Sequence, residues 1–169
     1  MNKTKNLTIA SMFLAIGIIL PQAFHSIPNA GNILLPMHIP VLICGFICGP
    51  IYGLLVGLIT PIVSHLIFAM PPVHMLSQMI VELGIYGLFT GLLNRKLNCA
   101  NKLFQNYYVL IISMLIGRIT YGLFNALIFQ TNSYTLSMWL TSSFITGLPG
   151  MIIQLLIIPP IIASIKKLF

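Results

Sequence analysis

Ser77-Gln-Met-Ile-Val-Glu-Leu-Gly-Ile-Tyr-Gly-Leu-Phe89 contains the only acidic residue of the chain, Glu82. On both sides of it the sequence is apolar. A carboxylate at such depth is costly in lipid, so it faces protein or a cavity and has a partner. Arg118 is the only basic residue inside an apolar segment, and it is the partner the sequence offers. The rest of the chain can be read outward from this pair.

Charged residues make up 5% of the 169 residues and hydrophobic residues 58%. A soluble domain carries roughly 25% charged residues, so this chain lacks the polar surface needed to cover a water-soluble globule. The composition describes an all-α integral membrane protein in the lipid bilayer. At ~20 residues per span, the length allows about five to seven spans.

The net charge of +7 does not indicate a nucleic-acid partner. Lys3 and Lys5 lie at the N-terminus, Arg95, Lys96 and Lys102 in one polar connection, and Lys166 and Lys167 at the C-terminus. These are juxtamembrane charges of the kind that set membrane orientation. No interleaving of aromatic and basic residues suggests a groove for stacked bases.

Apolar runs, broken by Pro, Gly and polar stretches, place six spans in a single domain, at about 8–24, 35–48, 51–68, 74–93, 107–129 and 145–165. The first run follows two lysines as a signal peptide would, but no small-x-small cleavage site follows it, so it reads as a span. Pro36 and Pro40 interrupt the start of the second. Pro149, Pro159 and Pro160 are expected to bend the last, and 136–144, with Trp139, to lie at the interface. Six spans put both termini on one side, together with the connection after span four. All seven juxtamembrane basic residues then fall on the cytoplasmic face, and the outer loops at 24–34, 68–73 and 130–143 carry none.

A short pattern recurs as Tyr52-Gly-Leu-Leu-Val-Gly-Leu58, Tyr86-Gly-Leu-Phe-Thr-Gly-Leu92 and Tyr121-Gly-Leu-Phe-Asn-Ala-Leu127. The pairs Gly53/Gly57, Gly87/Gly91 and Gly122/Ala126 each put small residues on one helix face, where backbones can approach closely. Three packing seams are expected. The tyrosines fall at different depths, which argues against a tyrosine ring.

Glu82 lies about twelve residues from the basic cluster at Arg95, and Arg118 about twelve from the start of span five, so at ~1.5 Å per residue both are ~18 Å from the cytoplasmic edge. Pairing across two antiparallel neighbours is then easy. It locks spans four and five, and it allows a second role in which Arg118 forks a substrate carboxylate. Gln78 shares the Glu82 face at i, i+4, and His74 extends it. Arg118, Tyr121 and Asn125 form a similar stripe on span five. Two facing polar stripes describe either a small-molecule pocket opening outward or hydrogen-bonded glue between helices. The four histidines, His25, His38, His65 and His74, fall near outer span ends, without the spacing of a metal site, and read as hydrogen-bonding groups at a cavity mouth. Cys44 and Cys48 read as small buried thiols. There is no P-loop, no carboxylate dyad and no Asp for a Ser/His/Asp triad, so neither an enzyme nor a cofactor is indicated.

Several segments resemble the substrate-binding S components of energy-coupling factor (ECF) vitamin transporters. They are Leu35-Pro-Met-His-Ile-Pro-Val-Leu-Ile-Cys-Gly-Phe-Ile-Cys-Gly-Pro50, Tyr52-Gly-Leu-Leu-Val-Gly-Leu-Ile-Thr-Pro61, Ala69-Met-Pro-Pro72 and Glu82-Leu-Gly-Ile-Tyr-Gly-Leu88. The resemblance runs from about 7 to 118 and is most specific for the pantothenate-type and cobalamin-precursor-type branch. It implies a six-helix bundle in the bacterial cytoplasmic membrane, with a vitamin pocket near the outer face. Asn32, His38, Met70, His74, Gln78, Glu82, Arg118 and Asn125 become its candidate residues. It also implies partners: a transmembrane coupling protein and two ATPase subunits. The coupling protein would be met by an Ala-x-x-x-Ala pattern on span one. The matching stretch here reads Ser11-Met-Phe-Leu-Ala15, extended by Gly17, with Ser in the first position. Pantothenate carries a carboxylate suited to Arg118, whereas a benzimidazole or its riboside would need stacking and neutral hydrogen bonds. A rival reading is a proton-coupled carrier with Glu82 as relay, although such carriers are larger and carry inverted repeats.

Overall fold

Gly49, Pro50 and Pro72 mark boundaries between elements. In the computed structural model, which describes residues 3–24, 30–128 and 136–168, the described residues form helices and no strand. These are α1 (Lys3–Ala23), α2 (Ala30–Leu34), α3 (His38–Cys48), α4 (Pro50–Phe68), α5 (Val73–Lys96), α6 (Lys102–Ile128), α7 (Leu136–Leu140) and α8 (Leu148–Leu168). A π-helical turn, Thr141–Ile145, follows α7. His25 and the polar run 130–134 lie outside the described residues. Between α3 and α4, Gly49 takes φ 93°, a left-handed value that glycine tolerates, and Pro50 opens α4, where no N–H is needed. Pro72, extended at φ −61° and ψ 152°, precedes α5. Arg95 and Lys96 close α5 and complement the negative end of its dipole.

Five helices, α1, α4, α5, α6 and α8, are long and apolar enough to cross a membrane. The expected second span is different. Leu35 sits at φ 50°, so helix begins only at His38. The resulting α3 has 11 residues, which at 1.5 Å each reaches about half of a ~30 Å hydrocarbon core. It is buried along most of its length and packs against α1, α4, α5 and α8. Pro40 falls in its first turn and costs it no hydrogen bond. α6 starts at Lys102, ahead of the expected 107. Buried Gln105 ties the turn before it, donating from Nε2 to the Leu97 carbonyl at 2.6 Å and accepting from the Cys99 N–H at 3.4 Å. The last span begins at Leu148 and continues as helix through Pro159 and Pro160.

The surface is inverted relative to a soluble protein. Leu66, Val73 and Leu127 are each at least 70% exposed, whereas Glu82, Asn106, Arg118, Asn125 and Gln154 are buried. One apolar core cluster is formed by Leu42, Leu110, Ile158 and Ile162, with Tyr86 among them, and a second by Val41, Cys44, Val56 and Leu83.

Two of the expected small-residue seams are one seam. Gly53 of α4 meets the backbone of Gly87 of α5, Gly57 lies on the Leu83 carbonyl, and Gly45 of α3 also touches Gly87. Three backbones converge at Gly87. An Ala in an open helix is worth about 1 kcal/mol more than Gly, yet a Cβ at Gly87 would strike the Gly53 backbone. Gly87→Ala is therefore expected to destabilise by ~1–3 kcal/mol or more. A lower melting temperature in detergent is the expected result, and an unchanged or higher one would mean the seam is not closed. The third pair behaves differently. Gly122 receives the Trp139 indole, and Ala126 is exposed.

Candidate substrate site

Glu82 projects from α5 into the space between α3 and α6, where three side chains meet its carboxylate. Arg118 Nη1 lies 3.0 Å from Oε1. The Tyr86 hydroxyl, one turn along α5, donates to the same oxygen at 3.1 Å. His38 Nε2 stands 3.7 Å from Oε2. The His38 and Tyr86 rings meet edge-on, with centroids 5.3 Å apart. All four residues are at most 4% exposed. A buried charge is tolerated only when paired and hydrogen-bonded, and this carboxylate has a cation and a hydroxyl on one oxygen.

Arg118 is not used up by the pair. Its Nε and Nη2 are buried and have no hydrogen-bond partner among the described residues. Glu82 is held end-on through Nη1, so the Nε/Nη2 edge is left over. That is the side of a guanidinium that binds a carboxylate with two parallel hydrogen bonds.

Gln78 and Asn125 form the next tier. The Tyr86 ring packs on Gly117, which sets the register of α5 against antiparallel α6. Eight residues back from Tyr86 is Gln78, and eight on from Gly117 is Asn125, so the two share a depth beyond the ion pair. Both are buried, and Asn125 Nδ2 donates to the Tyr121 carbonyl at 3.0 Å.

Met70 and His74 are not among the buried residues of this cluster. Both are exposed, in the α4–α5 connection and the first turn of α5. Asn32 lies on α2, and its side chain is outside the description. His65 Nδ1 donates to the Pro71 carbonyl at 2.7 Å and so ties that connection to α4. The histidines thus do not act as a group: His38 belongs to the buried cluster, His65 to a loop, His74 to the surface. No set of three His, Cys, Asp or Glu able to hold a metal occurs among the described residues. Cys44 and Cys48 are buried free thiols. On α1, Ser11 and Ala15 are exposed, whereas Gly17 is buried against Thr60 and leaves their face.

Sequence reading missed two residues at the site. Tyr86 falls in the recurring packing pattern, and its i, i+4 spacing from Glu82 is the signal that places it beside the carboxylate. Trp139, expected at the interface, donates from Nε1 to the Arg118 carbonyl at 3.2 Å and packs on Gly122. Its indole sits edge-on to Phe144. No local signal marked that contact.

The described residues thus form an apolar-skinned helical bundle around a buried arginine with donors to spare. The sequence model of the family described as ECF transporter, substrate-specific component, matches residues 5–162, and the chain belongs to that family. It is a multi-pass membrane protein and the substrate-binding subunit of a transporter. No curated protein and no solved structure matches it significantly.

Proposed function

We propose that this chain captures pantothenate outside a bacterial cytoplasmic membrane and passes it to an ATP-driven ECF module. Arg118 carries the proposal. Its Nε/Nη2 edge is buried, has no partner among the described residues, and fits a carboxylate. Glu82 holds the guanidinium still, so the fork is preorganised. One tier further out, Gln78 and Asn125 offer amides to the neutral hydroxyl and amide groups of such a ligand. Asn32, Met70 and His74 belong to segments that would cover the site from outside.

Seven juxtamembrane basic residues favour cytoplasmic termini and a cytoplasmic α5–α6 connection. Ser11 and Ala15, exposed on α1, are then a surface for the transmembrane coupling protein, which works with two ATPase subunits. Gly17 supports that surface from behind by allowing α1 close to Thr60.

The chain purified alone should carry pantothenate, identified by extraction and mass spectrometry. A benzimidazole or its riboside in that extract would replace pantothenate as the ligand. Proton-driven uptake by the chain alone in proteoliposomes would instead make it a carrier with Glu82 as relay.

A further inference from the structure

Gln154 of α8 is fully buried in a helix that is otherwise almost entirely apolar. It is not among the residues expected at the site, and its one side-chain hydrogen bond among the described residues goes elsewhere. Its Nε2 donates to the carbonyl of Leu35, 119 residues away, at 3.4 Å. The donor requirement settles which end of the amide is which, because a carbonyl can accept only from the NH2 group. Its Oε1 is buried without a hydrogen-bond partner among the described residues. A half-satisfied amide at zero exposure is costly, so this position is occupied against its own desolvation.

Leu35 is where that interaction has an effect. It is one of two non-glycine residues with positive φ among those described, at 50°. A bulky residue in the left-handed region is strained and persists only where its surroundings hold it. The surroundings are α8. Gly150, one turn before Gln154, lies against the backbone of Ile33 and Leu34, close enough that a Cβ would strike it. The Leu35 carbonyl also accepts the backbone N–H of His38 at 3.1 Å, the first residue of α3. One carbonyl therefore joins α8 to the start of α3. His38, placed by that turn, stands 3.7 Å from Glu82 and edge-on to Tyr86.

We infer that Gln154 is a positioning residue of the substrate site: through the Leu35 carbonyl it holds the turn that sets His38 beside the Glu82 carboxylate and edge-on to Tyr86, and so shapes the wall of the site next to Arg118. Gly150 provides the close approach and Gln154 the hydrogen bond. The effect on binding rests on the pantothenate reading above, while the effect on His38 does not.

Hydrogen exchange at the imidazole C2 position, followed by mass spectrometry, reads each histidine separately and needs no ligand. In Gln154→Leu, His38 should exchange at least about threefold faster, with His65 and His74 unchanged as internal references for the fold. Gln154→Glu, whose buried carboxyl can donate when protonated, should slow His38 exchange relative to Gln154→Leu at the same pH. Unchanged His38 exchange in Gln154→Leu, or equal acceleration at all three histidines, overturns the inference. A second measurement reads the link to the site. Pantothenate affinity should fall about tenfold in Gln154→Leu, and in a His38→Ala background the same substitution should cost little more. Independent, additive losses would show that Gln154 does not act through His38. If pantothenate does not bind even the unaltered chain, the ligand assignment fails and the exchange result stands by itself.

Discussion

Arg118→Ala is expected to weaken pantothenate binding by about 30- to 4,000-fold, the range for truncating one partner of a buried, hydrogen-bonded charge pair at ~2–5 kcal/mol. Two contributions lie behind that figure. The ligand carboxylate loses its fork, and Glu82 is left without its cation. Arg118→Lys separates them. An ammonium keeps the charge beside Glu82 but has no planar edge with two parallel donors. The chain should remain folded, with the Tyr86 hydroxyl still on the carboxylate, yet most of the affinity should be lost. Titration calorimetry on the detergent-purified protein measures both variants. Affinity retained in Arg118→Lys would mean that the guanidinium serves as a point charge and not as a fork.

The second large effect concerns folding. Glu82→Ala removes the only acidic side chain and leaves Arg118 charged, buried and unpaired, which typically costs about 3–5 kcal/mol. That is a large share of a typical total stability of roughly 5–15 kcal/mol, so Glu82→Ala should be poorly recovered or melt far below the unaltered chain. The double variant Glu82→Met with Arg118→Met removes both charges and fills similar volume. It should regain most of the lost stability, because an apolar pair avoids the desolvation of an ion pair. It should also bind no pantothenate. Trp139, the only tryptophan, reports unfolding by its fluorescence. If Glu82→Ala melts like the unaltered chain, the carboxylate is not holding Arg118.

The pair was legible because each member is the only charge of its sign within an apolar segment, and because residue counts put both at one depth. Gln78 followed from its i, i+4 spacing to Glu82. His38 was legible as a site candidate but not as a partner of Glu82. Its placement depends on α3 starting at His38, which depends on Leu35 in a left-handed conformation that α8 enforces from 119 residues away. For the same reason the second span, short in the sequence at 35–48 and interrupted at its start by Pro36 and Pro40, is shorter still as a helix, His38–Cys48, and buried. Trp139 carries every sign of an interface residue; its seat exists because Gly122 lacks a side chain, a non-local coincidence. Gly53 and Gly87 announced close packing, but only the helix register joins them into one seam. Gln154 sits in a nearly uniformly apolar helix, where periodicity gives no hint of which face is inward.

On the proposed function, Arg118 offers a preorganised fork to a ligand carboxylate and is held in place by Glu82. Pantothenol, in which an alcohol replaces the carboxylate of pantothenate, isolates that group. The decisive measurement is the ratio of dissociation constants for pantothenol and pantothenate in the unaltered protein and in Arg118→Lys. The unaltered chain should prefer pantothenate by at least about 30-fold, as expected for a buried charged contact worth ~2 kcal/mol or more, and most of that preference should vanish in Arg118→Lys. Equal affinity for the two ligands in the unaltered chain, or the same preference in both proteins, would contradict it.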